Sequence, residues 1–309
     1  MLFGEHAVVY KKPCIVTSVD QRMFVTLKKI ESPNLVLHAK DLGLDEYIKP
    51  IDKLCTGVVP KSAEYIEHTI SLLTKRFTIQ GGIEIETHAE FSEKYGFGSS
   101  SASTVCTVKG FSELFSIELN KREIFELAYA VVLDIKGVGS GYDIAAAVYG
   151  GTLYYVGGGG KILPINIPKL PLAIGYTGIK ADTPLIVKEL EQKMKKVPKY
   201  YEDIFDKIEN IVEQARISLE KGDWEKVGKL MNENEELLAS LDVECPELIA
   251  LTSAARNSGA WGAKLSGAGR GDCMIALSKD VTATEKAITA ARGVAVRVGT
   301  NVPGVMQEE

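Results

Sequence analysis

Apolar and polar positions along the chain follow two different periods. Ile83-Glu84-Ile85-Glu86-Thr87-His88 alternates every second residue, as a half-solvated strand does, and Met23-Phe24-Val25-Thr26-Leu27 is a β-branched and aromatic run of the same kind. Between them Ala63, Ile66, Ile70 and Leu73 recur at helical spacing. Ala102, Val105, Val108, Phe111, Leu114 and Phe115 predict a helix over 101–116, and Asn120 precedes a second helix running from Lys121 to about Leu133. Thr152-Leu153-Tyr154-Tyr155-Val156 reads as a strand, and the four glycines 157–160 that end it read more simply as a hairpin turn than as a ligand loop. Beyond Pro164 the pattern changes. A buried strand over 171–177 leads into two amphipathic helices, one through Ile204, Ile208, Ile211, Val212 and Ala215, the other through Trp224, Val227, Leu230, Met231, Leu237 and Leu238. A helix over 246–257 and strands over 272–277 and 294–298 complete the pattern. No internal repeat is visible, and the natural break falls near residue 165, giving domains 1–165 and 166–309.

Composition narrows the functional class. A chain of 309 residues with ordinary apolar and charged content is a soluble globular protein large enough for two domains. The net charge of −5 argues against a nucleic-acid platform. Five cysteines without CxxC spacing argue against a disulfide framework or structural zinc, and no HExxH pair occurs. No apolar run reaches the roughly 20 residues of a membrane helix, and no charged-then-apolar signal segment appears in the sequence. The expectation is a cytoplasmic protein with neither membrane nor nucleic-acid partner.

Four clusters could carry chemistry. Tyr95-Gly96-Phe97-Gly98-Ser99-Ser100-Ser101-Ala102 lies between a strand and a helix, where glycines admit a ligand to the backbone and a helix N-terminus offers unpaired N–H groups to phosphate oxygens. It lacks the lysine and the spacing of a Walker loop, and a serine-capped helix is an equal alternative. Gly137-Val138-Gly139-Ser140-Gly141-Tyr142-Asp143 delivers a carboxylate from a glycine-rich turn, suited to accepting or orienting a hydroxyl proton, although an aspartate before a helix is commonly a cap. Lys264-Leu265-Ser266-Gly267-Ala268-Gly269-Arg270-Gly271-Asp272-Cys273 is a third glycine-rich turn, in which Arg270 either neutralises phosphate or is simply solvated. Gly4-Glu5-His6-Ala7-Val8-Val9-Tyr10 sets a Glu-His pair before an apolar run that reads as a strand; by itself it is more simply a surface turn.

Taken in order, these motifs resemble the GHMP kinase superfamily, which includes galactokinase, homoserine kinase, mevalonate kinase and phosphomevalonate kinase, and the resemblance spans essentially the whole chain. It implies an α+β protein of two domains, the first like ribosomal protein S5 domain 2 and the second ferredoxin-like, with nucleotide and acceptor meeting in the cleft between them. Gly96-Phe97-Gly98-Ser99-Ser100 matches the family's PxxxGLGSSA phosphate loop, with Ser92 in place of its proline and Ser100 at the magnesium position. Ser140-Gly141-Tyr142-Asp143 matches the motif of the catalytic aspartate, and Gly267-Ala268-Gly269-Arg270-Gly271 matches the late GAGGGG loop with Arg270 replacing a glycine.

The acceptor motifs divide. Phe3-Gly4-Glu5-His6-Ala7-Val8-Val9-Tyr10 resembles mevalonate kinases, and so does Met231-Asn232-Glu233-Asn234-Glu235-Glu236-Leu237-Leu238, except that Glu235 stands where they usually carry His. The stretches 139–150 and 266–273 look more like phosphomevalonate kinases. Val132 occupies the position of a magnesium-binding Glu, with Asp134 the nearest carboxylate. The resemblance implies ATP and Mg2+, with Gly96, Phe97, Gly98, Ser99, Ser100, Ser101, Gly267, Ala268 and Gly269 at the nucleotide and Ser100 at the metal. It also implies Asp143 as base or electrostatic orienter, and Glu5, His6 and Thr183 at the acceptor.

The leading expectation is phosphorylation of mevalonate to 5-phosphomevalonate in isoprenoid precursor synthesis. Phosphomevalonate kinase is the alternative, with Arg270 and Lys180 as the extra cations it needs, and a nucleotide-binding sensor without turnover is the second alternative. Oligomeric state is left open, a homodimer being one option. Relatives also carry a strand and an APGK-like segment ahead of the GEHAVVY motif, so the expectation is that this chain lacks them and leaves a sheet edge unpaired.

Overall fold

The computed structural model describes residues 1–92, 95–167 and 170–308. Counting those residues, the chain forms two compact units. One is Met1–Asp20, 95–96 and Gly151–Val302; the other is 21–92, Phe97–Gly150 and 303–308.

The unit containing Phe97–Gly150 is built on a four-stranded sheet in the order β2-β5-β3-β4, from β2 (Met23–Ile30), β3 (Asn34–Ala39), β4 (Leu44–Pro50) and β5 (Gly82–Ala89). Period-two patterning does its expected work here: Leu35, Leu37, Ile83 and Ile85 are wholly buried, and Leu37 lies opposite Ile85 in the parallel β3–β5 pair. Helices α1 (Glu64–Arg76), α2 (Ser99–Leu114), α3 (Lys121–Lys136) and α4 (Tyr142–Tyr149) complete the unit, with α2 against β2 and against α1, α3 and α4. Asn120 and Glu123 form a reciprocal capping box that starts α3 at the expected place.

The other unit holds two sheets. β1 (Pro13–Thr17), β6 (Thr152–Val156) and β7 (Lys161–Ile165) form an antiparallel sheet in the order β1-β6-β7, and the 157–160 glycines make the hairpin turn between β6 and β7. The second sheet, β11-β8-β10-β9, uses β8 (Leu172–Tyr176), β9 (Ala260–Ser266), β10 (Cys273–Ser278) and β11 (Val294–Val296). Helices α5 (Thr183–Lys196), α6 (Pro198–Lys221), α7 (Trp224–Ala239), α8 (Pro246–Asn257) and α9 (Val281–Ala290) belong to the same unit.

β9 is an edge strand, and α7 covers its outward-facing groups. Ala263 N donates to Asn232 Oδ1 at 3.1 Å and Leu265 N donates to Glu235 Oε2 at 2.9 Å. Residues two apart on the strand thus meet residues three apart on the helix, which closes an edge that would otherwise expose unpaired donors.

Three features differ from the sequence expectation. The compact units do not part at a single break near residue 165, because β1 pairs with β6, with Ile15 opposite Tyr154, and draws residues 1–20 into the unit of 151–302. Ala7-Val8-Val9-Tyr10 is a 3-10 turn rather than a strand: His6 at φ 61° and Lys11 at φ 63° bracket it, and such left-handed residues cannot continue an extended chain. Helices α5 and α9 carry too few regularly spaced apolar residues to stand out, with Ile186 and Leu190 the buried pair in α5 and Thr284 and Ile288 in α9.

Candidate active site

In the unit containing Phe97–Gly150, α2 begins on Gly98, whose φ of 80° and ψ of 39° place it in the left-handed region. Glycine adopts this conformation without steric penalty, and it has no side chain to cap the helix. Ala102 N donates to Gly98 O at 2.9 Å, so the N–H groups of Ser99, Ser100 and Ser101 precede the first intrahelical bond. A Cβ at Gly98 would stand 3.5 Å from Asp143 Cβ. Asp143 is in the first turn of α4, which itself starts on left-handed Gly141 at φ 82°. The structure thus brings Gly98, Ser101 and Asp143 together.

The contact between the last two is direct. Ser101 Oγ donates to Asp143 Oδ2 at 2.5 Å, and Ile144 N donates to Oδ1 at 3.0 Å. Ser101 is 2% exposed, while Ser99, Ser100 and Asp143 are half-buried. The Ser101 hydroxyl, read from sequence as a phosphate ligand, is therefore committed to a carboxylate. Val132 is buried and apolar, with Gly139 against it. Asp134 is exposed and pairs with His68 Nδ1 at 2.8 Å. Among the described residues no group of three or more His, Cys, Asp and Glu could hold a metal ion. What remains is the hydroxyls of Ser99 and Ser100 and one carboxylate, Asp143. That set fits a magnesium ion whose other ligands are phosphate oxygens and water.

In the other unit, Glu5 and Lys264 form an ion pair in which both side chains are fully buried, and Lys264 Nζ also donates to Leu265 O at 2.6 Å. Glu5 Oε2 is buried without a partner. His6 Nε2 lies 3.0 Å from Ala268 O, which can only accept, so Nε2 carries the proton. Burial holds the His6 ring below its usual range, so it stays neutral with Nδ1 as its acceptor. Glu5 and His6 therefore meet the strand and the glycine loop 267–269 that the sequence assigned to nucleotide.

Asp272 organises the neighbouring turn. Its Oδ1 accepts from Ala181 N at 3.1 Å and lies 3.6 Å from Lys180 Nζ, while its backbone carbonyl accepts from Thr177 N and Oγ1. A Cβ on Gly96 would come within 3.1 Å of Asp272 Oδ2. Thr183 is exposed at the start of α5, next to its capping residue Asp182. Arg270 is held by Glu189, Nη1 to Oε2 at 2.5 Å, and by Asp242 O, which accepts from Nε and Nη2. Burial, reinforced by the Asp272 charge, pushes the Cys273 thiol up to about 12, which excludes it as a nucleophile.

The sequence assigned no role to Lys264, Asp272 or Glu235, although all three lie in the motifs it singled out. For Lys264 a signal existed, a lone cation within the otherwise small and apolar 260–266 run. Glu235 stands where the family pattern has His, and its acceptor role at Leu265 N accounts for a carboxylate there.

The GHMP kinase N-terminal model matches residues 64–151 and the GHMP kinase C-terminal model matches 215–295, one on each side of residue 165. A mevalonate kinase of Pyrococcus abyssi is 35% identical over 289 residues, covering 90% of this chain and 86% of the relative. Two solved mevalonate kinases share the fold. That of L. major, in complex with R-mevalonate, is 28% identical with a TM-score of 0.76, covering 99% of this chain and 94% of its own. That of Methanococcus jannaschii is 25% identical with a TM-score of 0.80, covering 96% and 94%. The chain belongs to the GHMP kinase family and has its two-domain α+β fold.

Two predictions follow from the buried charges. Lys264→Met leaves Glu5 buried without its cation and should cost about 3–5 kcal/mol in chemical unfolding, most of it recovered in Glu5→Gln/Lys264→Met; a single-variant loss below about 1 kcal/mol would refute the assignment. Burial pushes the Glu235 carboxyl up from 4.5 to about 7, against the opposing charge of Lys264 and with Glu244 and Arg256 also nearby. The folded state then holds a proton that the unfolded state has lost, so stability falls as pH rises from about 4.5 to about 7. Urea unfolding should show Glu235→Gln gaining on wild type by on the order of 3 kcal/mol at pH 8 and by almost nothing at pH 4, and parallel pH profiles would contradict it.

Proposed function

We propose that the chain is an ATP-dependent mevalonate kinase that transfers the γ-phosphoryl group to the primary alcohol of mevalonate. The observation that carries the reading is Asp143 held beside the glycine-started N-terminus of α2, a carboxylate next to unpaired N–H groups. Phosphoryl transfer depends chiefly on positioning and on charge stabilisation, and this arrangement offers both. The identity with a named mevalonate kinase over nine-tenths of the chain supports the acceptor.

In this reading the N–H groups and hydroxyls of Ser99 and Ser100 bind phosphate oxygens, and the glycine loop 267–269 adds backbone donors. Ser100 and Asp143 would hold the magnesium ion that accompanies the nucleotide, and the ion would offset phosphate charge. Asp143 receives or orients the proton of the acceptor hydroxyl as the new oxygen–phosphorus bond forms and the bond to the β,γ-bridging oxygen breaks. Glu5, whose Oε2 lacks a donor, together with His6 and Thr183, positions mevalonate. The cytoplasm is the proposed location; among the described residues no helix is long and apolar enough to cross a membrane.

Asp143→Asn should lower kcat by about 10²–10⁴-fold while ATP still binds, as measured by coupled turnover and by nucleotide titration. Offered mevalonate and 5-phosphomevalonate separately, the wild type should turn over the first. Turnover of only the phosphorylated acceptor would move the assignment to phosphomevalonate kinase, and equally negligible turnover of wild type and Asp143→Asn would favour the nucleotide sensor.

A further inference from the structure

We infer that Ser101 is a positioning residue for Asp143, coupling the first turn of α2 to the carboxylate at the start of α4, rather than a ligand of the nucleotide. The inference rests on the reading of Asp143 given above.

The geometry carries it. Ser101 Oγ and Asp143 Oδ2 are 2.5 Å apart, the short end of hydroxyl-to-carboxylate bonds. The hydroxyl is 2% exposed and its proton is committed to the carboxylate, while Ser99 and Ser100 on the same turn are only half-buried. Oδ1 is fixed independently by Ile144 N at 3.0 Å. One oxygen is thus tied to α4 and the other to α2, so the plane of the carboxylate is set by two helices at once. Each oxygen retains a lone pair, because a carboxylate accepts at about four sites and these two bonds use two of them.

Ala, which the family loop carries at this place, could not donate. The bond also places the Asp143 charge against the positive end of α2, where a carboxylate is electrostatically favoured. A donor that holds the acceptor-facing carboxylate without touching either substrate should affect the rate of transfer and leave binding alone.

The test uses the whole chain with ATP and mevalonate. Ser101→Ala and the nearly isosteric, weakly donating Ser101→Cys should each lower kcat by about 10- to 100-fold with both KM values within about twofold of wild type. Ser101→Thr, which restores a hydroxyl, should recover most of the rate. In an Asp143→Asn background, Ser101→Ala should cause no further fall, because the partner through which it acts is already gone. A rise of about tenfold or more in KM or Kd for ATP with kcat unchanged would overturn the inference in favour of a phosphate ligand. Losses in Ser101→Ala and Asp143→Asn that multiply in the double variant, or a fall in kcat matched by a fall in thermal midpoint across all three Ser101 variants, would overturn it in favour of a purely structural role. The two readings fail separately. An active Ser101→Ala beside an inactive Asp143→Asn sinks only this one, whereas a fully active Asp143→Asn sinks the catalytic assignment with it.

Discussion

The constraint on which the unit containing Phe97–Gly150 turns is a helix that begins without a side-chain cap. Four other helices solve their N-termini locally: Asn120, Asp182, Asp223 and Asp280 each accept an N–H from the first turn of α3, α5, α7 and α9. At α2 and α4 left-handed glycines stand in that position instead. The orphan donors of α2 are then left without a capping side chain, and the negative charge beside them comes from Asp143 across a side-chain contact rather than from a capping residue in its own sequence. Any side chain at position 98 would meet Asp143 and adopt a strained backbone, so the glycine, the serine and the aspartate form one arrangement.

The other unit reaches a comparable rigidity through buried charge. Glu5 and Lys264 are 259 residues apart in sequence and both lie at zero side-chain exposure. Such a pair offsets its own desolvation at best, so its use is better sought in specificity than in stability. It fixes one turn, 4–6, against one strand, β9, whose outer edge α7 already holds through Asn232 and Glu235. His6 then reaches Ala268, and the loop beyond it is pinned again where Asp272 receives Ala181 N. Three acidic side chains, Glu5, Glu235 and Asp272, hold this region in place.

How much was legible follows from where each residue's partner lies. Local periodicity located the strands at 23–30, 82–89 and 152–156 and most helices, because burial of one face leaves a pattern in consecutive residues. Motif order supplied the family, since glycines and serines near a phosphate are constrained by backbone geometry that neighbouring residues reveal. Lys264 stood out as a lone cation but its partner was hidden, because a lysine in a strand ordinarily marks solvent and what pairs with this one is a carboxylate at the far end of the chain. Val8 and Val9 misled in the opposite way: β-branched residues favour strands, but His6 and Lys11 in left-handed conformations turn the segment into a short 3-10 coil. Ser101 looked like its two neighbours, and its burial and its bond to Asp143 separate it from them.

The same accounting of partners bears on which acceptor the molecule suits. A phosphorylated acceptor brings a second dianionic group close to the triphosphate, and its site must supply cations that are not already engaged. Arg270, the one motif position where a cation replaces glycine, has its Nη1 on Glu189 and its Nε and Nη2 on Asp242 O, and its φ of 53° fixes the backbone that delivers it. Lys180 lies against Asp272, whose carboxylate also anchors the 177–181 turn. Recruiting Arg270 to a phosphate would mean breaking contacts that shape the loop itself. An alcohol acceptor makes no such demand, since it needs one group to take or orient a proton and no further cation.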